Sequence, residues 1–149
     1  MNDLKTITVL FRAANSLEKI IRDDVFEYGL NVSEFGVLEA LYHKDSLTLK
    51  GVIDKVLVPN SSMTYVVENL VNKGYIIKKQ SEKDRRSYVL ELSEKGRALM
   101  DKIFILHAKN MREILDILDE AEERTLQRAL VKIGKTCKMK NQNGSQVYI

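Results

Sequence analysis

The segment from Val58 to Leu92 constrains the fold of this chain more than any other stretch. Its first part predicts a helix with one buried face, because apolar residues recur every three or four positions at Met63, Val66, Val67 and Leu70. Gly74 then marks the end of this helix. Two strands are predicted over residues 75–79 and 87–92, and the segment 80–86 between them is too polar to be core.

The opposite face of the same helix carries hydrogen-bonding side chains and no acid. These residues are Ser61, Ser62, Thr64, Tyr65 and Asn69. A short helix over 49–56, capped by Thr48, precedes the turn at Pro59 and completes a helix-turn-helix. The whole pattern predicts a mainly α fold with a small β-hairpin wing, that is, a winged helix-turn-helix whose second helix contacts DNA.

Basic residues concentrate in and around the hairpin. Six of them lie between positions 73 and 90: Lys73, Lys78, Lys79, Lys83, Arg85 and Arg86. The same span contains two acids, whereas the whole chain has 24 basic and 21 acidic residues, so the basicity is local. Local positive charge favours phosphate binding through counterion release. The alternative is that these charges only solvate a hairpin, but the adjoining polar helix face favours nucleic acid.

Long helices are predicted on both sides of this head. Apolar spacing indicates a first helix over residues 4–28, capped by Asn2 or Asp3 and followed by Gly29. A second helix is predicted from Glu34 to His43, with Ser33 as its cap. At roughly 37 Å, the first helix is longer than a domain of this size needs. We interpret the excess as a subunit interface, and the alternative is a helix lying across its own domain.

Two more helices follow the hairpin, a fifth starting at Ser93 and a sixth at Asp119. The apolar stripe of the fifth is predicted at Leu99, Ile103, Leu106, Asn110, Ile114, Ile117 and Leu118, and that of the sixth at Leu126, Leu130, Ile133 and Cys137. The predicted organisation is a helical dimerisation region over 1–29 and 93–140, a DNA-binding head over 30–92, and a frayed tail over 141–149. Cys137 is expected to pack as a small hydrophobe.

Composition excludes several other classes of protein. With 149 residues, 44% hydrophobic and 30% charged, the chain predicts one globular domain. No apolar run approaches the ~20 residues of a membrane span, and the N-terminus lacks the features of a signal peptide. A single cysteine fits a reducing cytoplasm. No catalytic constellation, phosphate loop or metal-ligand spacing is present, so neither an enzyme nor a cofactor is expected.

From about Leu30 to Gly96 the chain resembles regulators of the MarR (multiple antibiotic resistance) family. The segments that carry the resemblance are SEFGVLEAL, LTLKGVIDKV, SSMTYVVENLVNKGYI and EKDRRSYVLELSEKG. The resemblance implies a homodimer that binds a pseudo-palindromic DNA operator, and repression relieved by a small phenolic ligand or by thiol oxidation. SEFGVLEALYHK and SSMTYVVENL are most similar to the branch that senses quinones and related aromatics.

The same resemblance implies roles for individual residues. Arg86 matches the wing arginine that enters the minor groove, and Asp84 matches the acid that orients it by a salt bridge. Phosphate contacts are implied for Lys79, Lys83 and Arg85, and the major-groove face corresponds to Ser61, Ser62, Thr64 and Tyr65. The family often has an arginine where this chain has Tyr65, which is a departure from its pattern.

The family's layout also implies an effector site near the junction of the head and the dimerisation region. Its candidate residues are Phe11, Tyr28, Tyr42 and His43, for which core packing is the alternative. The peroxide-sensing branch needs a cysteine near the first helix, and this chain has none there. The prediction is therefore a dimeric, ligand-responsive transcription factor, most plainly a repressor. The alternative is a winged-helix module that docks a protein instead of DNA.

Overall fold

The computed structural model describes residues 4–56 and 62–144. Within them, the elements are α1 (Lys5–Phe26), α2 (Val32–Lys44), β1 (Ser46–Leu47), α3 (Leu49–Lys55), α4 (Met63–Asn72), β2 (Ile76–Gln80), β3 (Tyr88–Leu92), α5 (Glu94–Leu115) and α6 (Glu120–Gly144). This order confirms the mainly α fold with a small wing. The chain divides into two compact units, one ending at His107 and the other beginning at Ala108.

The three strands form one antiparallel sheet in the order β1-β3-β2. Strands β2 and β3 form the predicted hairpin, with Ile76 opposite Leu92 and Gln80 opposite Tyr88. Strand β1 was not predicted, because two residues are too short to show a strand's alternation. It exists through its pairing with the middle of β3, where Ser46 lies opposite Glu91.

The core of the first unit gathers apolar side chains from every element between α1 and α5. Its fully buried members include Val25, Phe35, Leu38, Leu41, Val52, Met63, Leu70, Met100 and Ile103. The predicted inner face of α4 is confirmed, since all four of its apolar residues are buried. Val25 shows that the end of α1 contributes to the core of the head, although the head was predicted to begin at residue 30.

Two helix starts can be compared with their predicted caps. The cap of α2 is Asn31 and not Ser33: the Glu34 N–H donates to Asn31 Oδ1 at 2.8 Å, and the Asn31 N–H donates to Glu34 Oε1 at 3.2 Å. This reciprocal capping box satisfies two helix-end donors at once, which a serine two residues later cannot do. Thr48 caps α3 as predicted, accepting from the Gly51 N–H at 3.0 Å.

Other predicted helix boundaries shift. Helix α1 ends at Phe26, two residues before the predicted end, and the first residue of α2 is Val32. Helix α6 continues to Gly144, so residues 141–144, predicted to fray, are helical, because no proline or glycine interrupts them before that position. The proposed caps Asn2 and Asp3, the turn at Pro59 and the last five residues lie outside the described residues.

The predicted stripes of the last two helices differ in how far the single chain buries them. In α5, Ile103 is buried as predicted, but Leu106 is exposed, and Met100 and His107 are buried instead. All the described residues of the α6 stripe are exposed in the chain. Cys137 is among them, so it does not pack in the chain's own core.

An arginine clamp closes the turn between α5 and α6 in the second unit. Arg112 Nη2 lies 2.6 Å from Glu123 Oε2, and Arg112 Nε lies 2.7 Å from Asp116 Oδ1. Hydrogen bonds to Glu123 and then Asp116 raise the pKa of Arg112, and the bond from Arg112 lowers the pKa of Glu123. Within residues 4–56 and 62–144, no helix has the length and apolarity to cross a membrane.

Candidate nucleic-acid interface

Helix α4, here called the recognition helix, presents a polar face to solvent because its apolar residues are anchored in the core. Ser62 and Tyr65 are exposed, Tyr65 to 69%, and Asn69 is half-buried one turn further on. These three positions follow at spacings of three and four, so they share one helix face. Ser61 lies outside the described residues. The exposed tyrosine gives this face both an apolar ring and a hydroxyl.

Thr64 lies on the flank of the recognition helix rather than on the same face as Tyr65. It lines a groove of about 200 Å³ between α4 and the hairpin, together with Leu49, Val67, Glu68, Lys78, Tyr88 and Leu90. An ion pair between Lys78 and Glu68 spans this groove. The pair connects strand β2 of the wing to the recognition helix, so an ion pair holds the two candidate DNA-contacting elements together.

The wing tip is a turn organised by Asp84. Its carboxylate accepts from the Arg86 backbone N–H at 3.0 Å and from Ser87 Oγ at 3.3 Å, and the Ser87 N–H donates to the Asp84 carbonyl at 3.0 Å. The Asp84 carboxylate therefore shapes the turn through the backbone. The predicted salt bridge to the Arg86 guanidinium is not among the ion pairs of the described residues. An aspartate at a turn commonly acts in this way.

The six bases of this region divide into two groups. Lys73 pairs with Glu34, Lys78 with Glu68, and Lys79 with Glu91. The other three, Lys83, Arg85 and Arg86, are exposed at the tip and have no ion pair within the described part of the chain. Lys79 pairs across the hairpin, at 2.8 Å from Glu91, and alternation places it on the opposite face from Lys78. Positive charge without an internal partner is thus concentrated at the tip.

The C-terminal end of the recognition helix is held from two sides. From α2, Glu34 Oε2 accepts from Lys73 Nζ at 2.6 Å, with the Glu34 side chain only 5% exposed. From the start of α5, Lys95 Nζ donates to the Lys73 carbonyl at 2.9 Å and Ser93 Oγ donates to the Gly74 carbonyl. Gly74 adopts a φ of +80°, which favours glycine. Sequence reasoning missed Glu34, since its partner lies 39 residues away.

Gly96 allows the first turn of α5 to approach this end of the recognition helix. A Cβ at position 96 would lie 2.1 Å from the carbonyl oxygen of Tyr75, so no larger residue fits there without a backbone shift. Lys95 lies over the Tyr75 ring, 4.8 Å from its centroid. The close approach fixes the helix end relative to α5.

An apolar pocket of about 180 Å³ lies between α1 and α2. Its lining residues are Ala14, Leu17, Glu18, Ile21, Val32, Ser33, Phe35, Gly36 and Val56. None of the four predicted effector residues lines it. This cavity is comparable in size to the ~150 Å³ cavity that holds benzene in an engineered protein.

The structure brings only two of the predicted effector residues together. Tyr42 and His43 have ring centroids 5.7 Å apart, and both contact Phe104. Tyr42 donates to Asp101 Oδ1 at 2.7 Å, and this hydrogen bond is the main cause that raises the pKa of Tyr42. Phe11 is exposed on α1, about 22 Å of helical rise before the end of that helix, whereas Tyr28 follows the helix and packs against the core.

The first unit also contains a largely buried polar pair, His107 and Asp24. His107 Nδ1 lies 2.8 Å from Asp24 Oδ2, and the His107 ring lies 4.6 Å from that of Phe35. Both side chains of this pair are largely buried. Among residues 4–56 and 62–144, no group of three or more His, Cys, Asp or Glu residues could hold a metal ion.

Comparisons with known proteins agree with this geometry. The family model for the transcriptional regulators SarA/Rot matches residues 19–103. The HTH-type transcriptional regulator MhqR of Bacillus subtilis is 38% identical over 135 residues, which cover 91% of this chain and 93% of MhqR. This chain belongs to the MarR family of winged helix-turn-helix regulators.

Solved MarR-family structures share the fold. A variant of Escherichia coli MarR in complex with operator DNA superposes with a TM-score of 0.76 at 18% identity, covering 87% of this chain and 94% of the MarR chain. Bordetella bronchiseptica BpsR, whose DNA binding is regulated by 6-hydroxynicotinic acid, gives a TM-score of 0.75 at 22% identity, covering 87% of this chain and 98% of BpsR. As a MarR-family member, this chain is a DNA-binding transcriptional regulator and not an enzyme.

Proposed function

We propose that this MarR-family chain is a dimeric cytoplasmic repressor that binds a pseudo-palindromic operator and leaves it when a small aromatic ligand binds. The observation that carries the proposal is the wing tip, where three exposed bases have no ion pair in the described part of the chain. A lysine or arginine that is paired with a carboxylate would have to break that ion pair before it could neutralise a phosphate. Lys83, Arg85 and Arg86 at the tip have no such pair to break.

Each head has two elements for DNA. The face of the recognition helix with Ser62, Tyr65 and Asn69 enters the major groove, where Tyr65 contacts base edges or thymine methyl groups. Arg86 enters the minor groove, whose narrow regions attract a guanidinium. Lys83 and Arg85 contact phosphates on either side, and Lys79 is a more distant phosphate contact. Asp84 keeps the tip in the conformation that presents these side chains.

A second copy of the chain covers the apolar surface that the chain leaves exposed. This surface includes Leu4 just before α1, Ile7, Phe11, Leu17 and Ile20 on α1, and Leu126, Leu130, Ile133 and Met139 on α6. Two long helices with this much exposed apolar surface are unusual in a monomer. The dimer places two recognition helices about 34 Å apart, in successive major grooves. Deleting the residues before Leu17 should give a monomer that binds DNA poorly, and a stable dimer after deletion would contradict this arrangement.

The effector site that the geometry favours is the pocket between α1 and α2. Its walls are almost entirely apolar, so a single aromatic ring suits it. A ligand there changes DNA binding only if it has different affinities for the DNA-bound and the released arrangement. The regulation of BpsR by 6-hydroxynicotinic acid supports a ligand of this size class. Tyr42 and His43 remain a second candidate site, two helical turns further along α2.

The test is selection from a library of random DNA duplexes at two salt concentrations. The complex of the protein with the selected duplex is then titrated with catechol. We expect an inverted repeat, binding that weakens steeply with salt, and release by catechol together with new contacts to the pocket residues in NMR spectra. Recovery of no sequence by a folded dimer would favour the protein-docking alternative. Recovery of an inverted repeat without response to catechol would support operator binding and contradict this choice of ligand.

A further inference from the structure

We infer that Glu34 is the positioning residue through which the pocket between α1 and α2 controls the recognition helix. The inference rests on the proposed function, because it requires that the pocket is the effector site. It adds the path by which an occupied pocket reaches the DNA-contacting face, and it assigns that path to one carboxylate and its lysine partner.

The first turn of α2 takes part in two structures at once. Val32, Ser33 and Phe35 line the pocket. Glu34 lies between them in the chain, and its side chain is 5% exposed and pairs with Lys73 of the recognition helix. The wall of the pocket and the link to the recognition helix therefore belong to one helical turn. A ligand that displaces this turn displaces the Glu34 carboxylate with it.

Both carboxylate oxygens of Glu34 are engaged, so the link has little freedom. Oε1 accepts from the Asn31 N–H and completes the capping box, while Oε2 accepts from Lys73 Nζ at 2.6 Å. A buried carboxylate is costly to leave unpaired. Moving the turn while keeping the ion pair therefore transmits the displacement to Lys73 at the end of the recognition helix.

The other restraints on that end come from a different element. Lys95 of α5 and Ser93, which directly precedes α5, hold the Lys73 and Gly74 carbonyls. The contacts from α5 thus hold the end of the recognition helix in place, while the ion pair with Glu34 can change the orientation of the helix. By contrast, the Glu68–Lys78 pair is exposed and connects the same helix to the wing, not to the pocket. It provides a matched control on the same helix.

The experiment is a double-mutant cycle that fills the pocket with a side chain. Ala14→Phe inserts a ring from the α1 wall, and Glu34→Gln removes the charge while keeping an oxygen that can accept from the Asn31 N–H. Affinity for the selected operator duplex is measured by fluorescence anisotropy for the parent chain, each single variant and the double variant. We expect Ala14→Phe to weaken binding about five- to fiftyfold in the parent, within the usual range of allosteric coupling, and less than twofold in Glu34→Gln.

Control variants and measurements keep the result interpretable. In Glu68→Gln, Ala14→Phe should weaken binding as much as it does in the parent. Light scattering confirms that each variant keeps the parent's oligomeric state, and Leu17→Phe fills the same pocket if Ala14→Phe does not. Thermal melting confirms folding, and Lys73→Gln removes the same ion pair from its other side should Glu34→Gln fail to fold.

The outcomes separate this inference from the proposed function. Equal weakening in the parent and in Glu34→Gln would overturn the role of Glu34 and leave the effector pocket intact. No weakening by either pocket-filling variant in the parent would overturn the effector pocket and the role of Glu34 together. Neither result would contradict the proposal that the chain binds an operator.

Discussion

The strands and the tip of the wing carry the same kind of side chain in opposite situations. Lys78 and Lys79 of strand β2 pair with Glu68 and Glu91, which attaches the hairpin to the recognition helix and joins its two strands. At the tip, Arg85 and Arg86 are exposed and have no carboxylate partner among the described residues. The difference teaches that a count of basic residues overstates the charge available for DNA, because half of these bases already have structural partners.

The largest effect is expected at Arg86. Arg86→Ala should weaken operator binding about a hundredfold in the dimer, since a specific arginine contact contributes roughly 1–3 kcal/mol and the dimer loses it twice. Urea unfolding should be unchanged, because an exposed tip contributes little to stability. Lys79→Ala removes one base from the paired group and should weaken binding only a few fold. Anisotropy titrations of both variants test the comparison directly, and equal losses would refute it.

Lys73 should show the reverse pattern. Lys73→Met leaves the Glu34 carboxylate buried without its ion partner, which should lower the free energy of unfolding by about 1–3 kcal/mol. The midpoint of urea unfolding, followed by circular dichroism, measures this loss. Arg86→Ala is the matched variant with the same change of charge. A Lys73→Met chain as stable as the parent would show that this paired base has no structural role.

Asp84 distinguishes two ways of presenting Arg86. Because its carboxylate accepts from the Arg86 N–H, Asp84→Asn keeps an acceptor for that bond and should bind the operator within about threefold of the parent, while Asp84→Ala should lose about tenfold. A salt bridge to the guanidinium would instead make the two variants equally poor. Titrations at one salt concentration separate the two outcomes.

The smallest effect is expected far from the wing, at the clamp of the second unit. Arg112 lowers the pKa of Glu123, so the pair stabilises the folded chain above the ordinary carboxyl pKa and loses that contribution as the pH falls through the lowered value. Glu123→Gln should therefore melt slightly below the parent at pH 7 and equally with it in strong acid. A difference that persists in acid would mean that packing, and not charge, holds this turn.

Local patterns predicted most of the head from sequence. The buried face of the recognition helix, the cap at Thr48 and the two hairpin strands all follow from residues close together in the chain. Asn31 was overlooked although Glu34, three residues later, completes the pattern of a capping box. The sequence contains this capping-box pattern, which is a stronger indication of the helix start than the nearby Ser33.

The remaining features depend on distant residues and left no local signal. Strand β1 exists only through β3, Glu34 pairs with a lysine 39 positions away, and His107 pairs with Asp24 at a separation of 83. The pocket between α1 and α2 is formed by apolar residues that resemble any core face. The sequence-based prediction chose aromatic residues as effector contacts because their side chains are easily recognised in a sequence. Pocket-lining residues, by contrast, can be identified only from the helices that pack around them.

The most direct test of the division between paired and free bases is the salt dependence of operator binding. The tip variant is Lys83→Ala/Arg85→Ala, and the strand variant is Lys78→Met/Lys79→Met. Each variant removes two positive charges per protomer. If the tip bases contact phosphates, the slope of log affinity against log salt should fall by about 3–4 in the tip variant, at roughly 0.9 per phosphate contact in a dimer. It should change by no more than about 2 in the strand variant, because Lys79 is the only one of its two lysines assigned a phosphate contact. Equal changes in the two variants would contradict the division and show that only total charge matters.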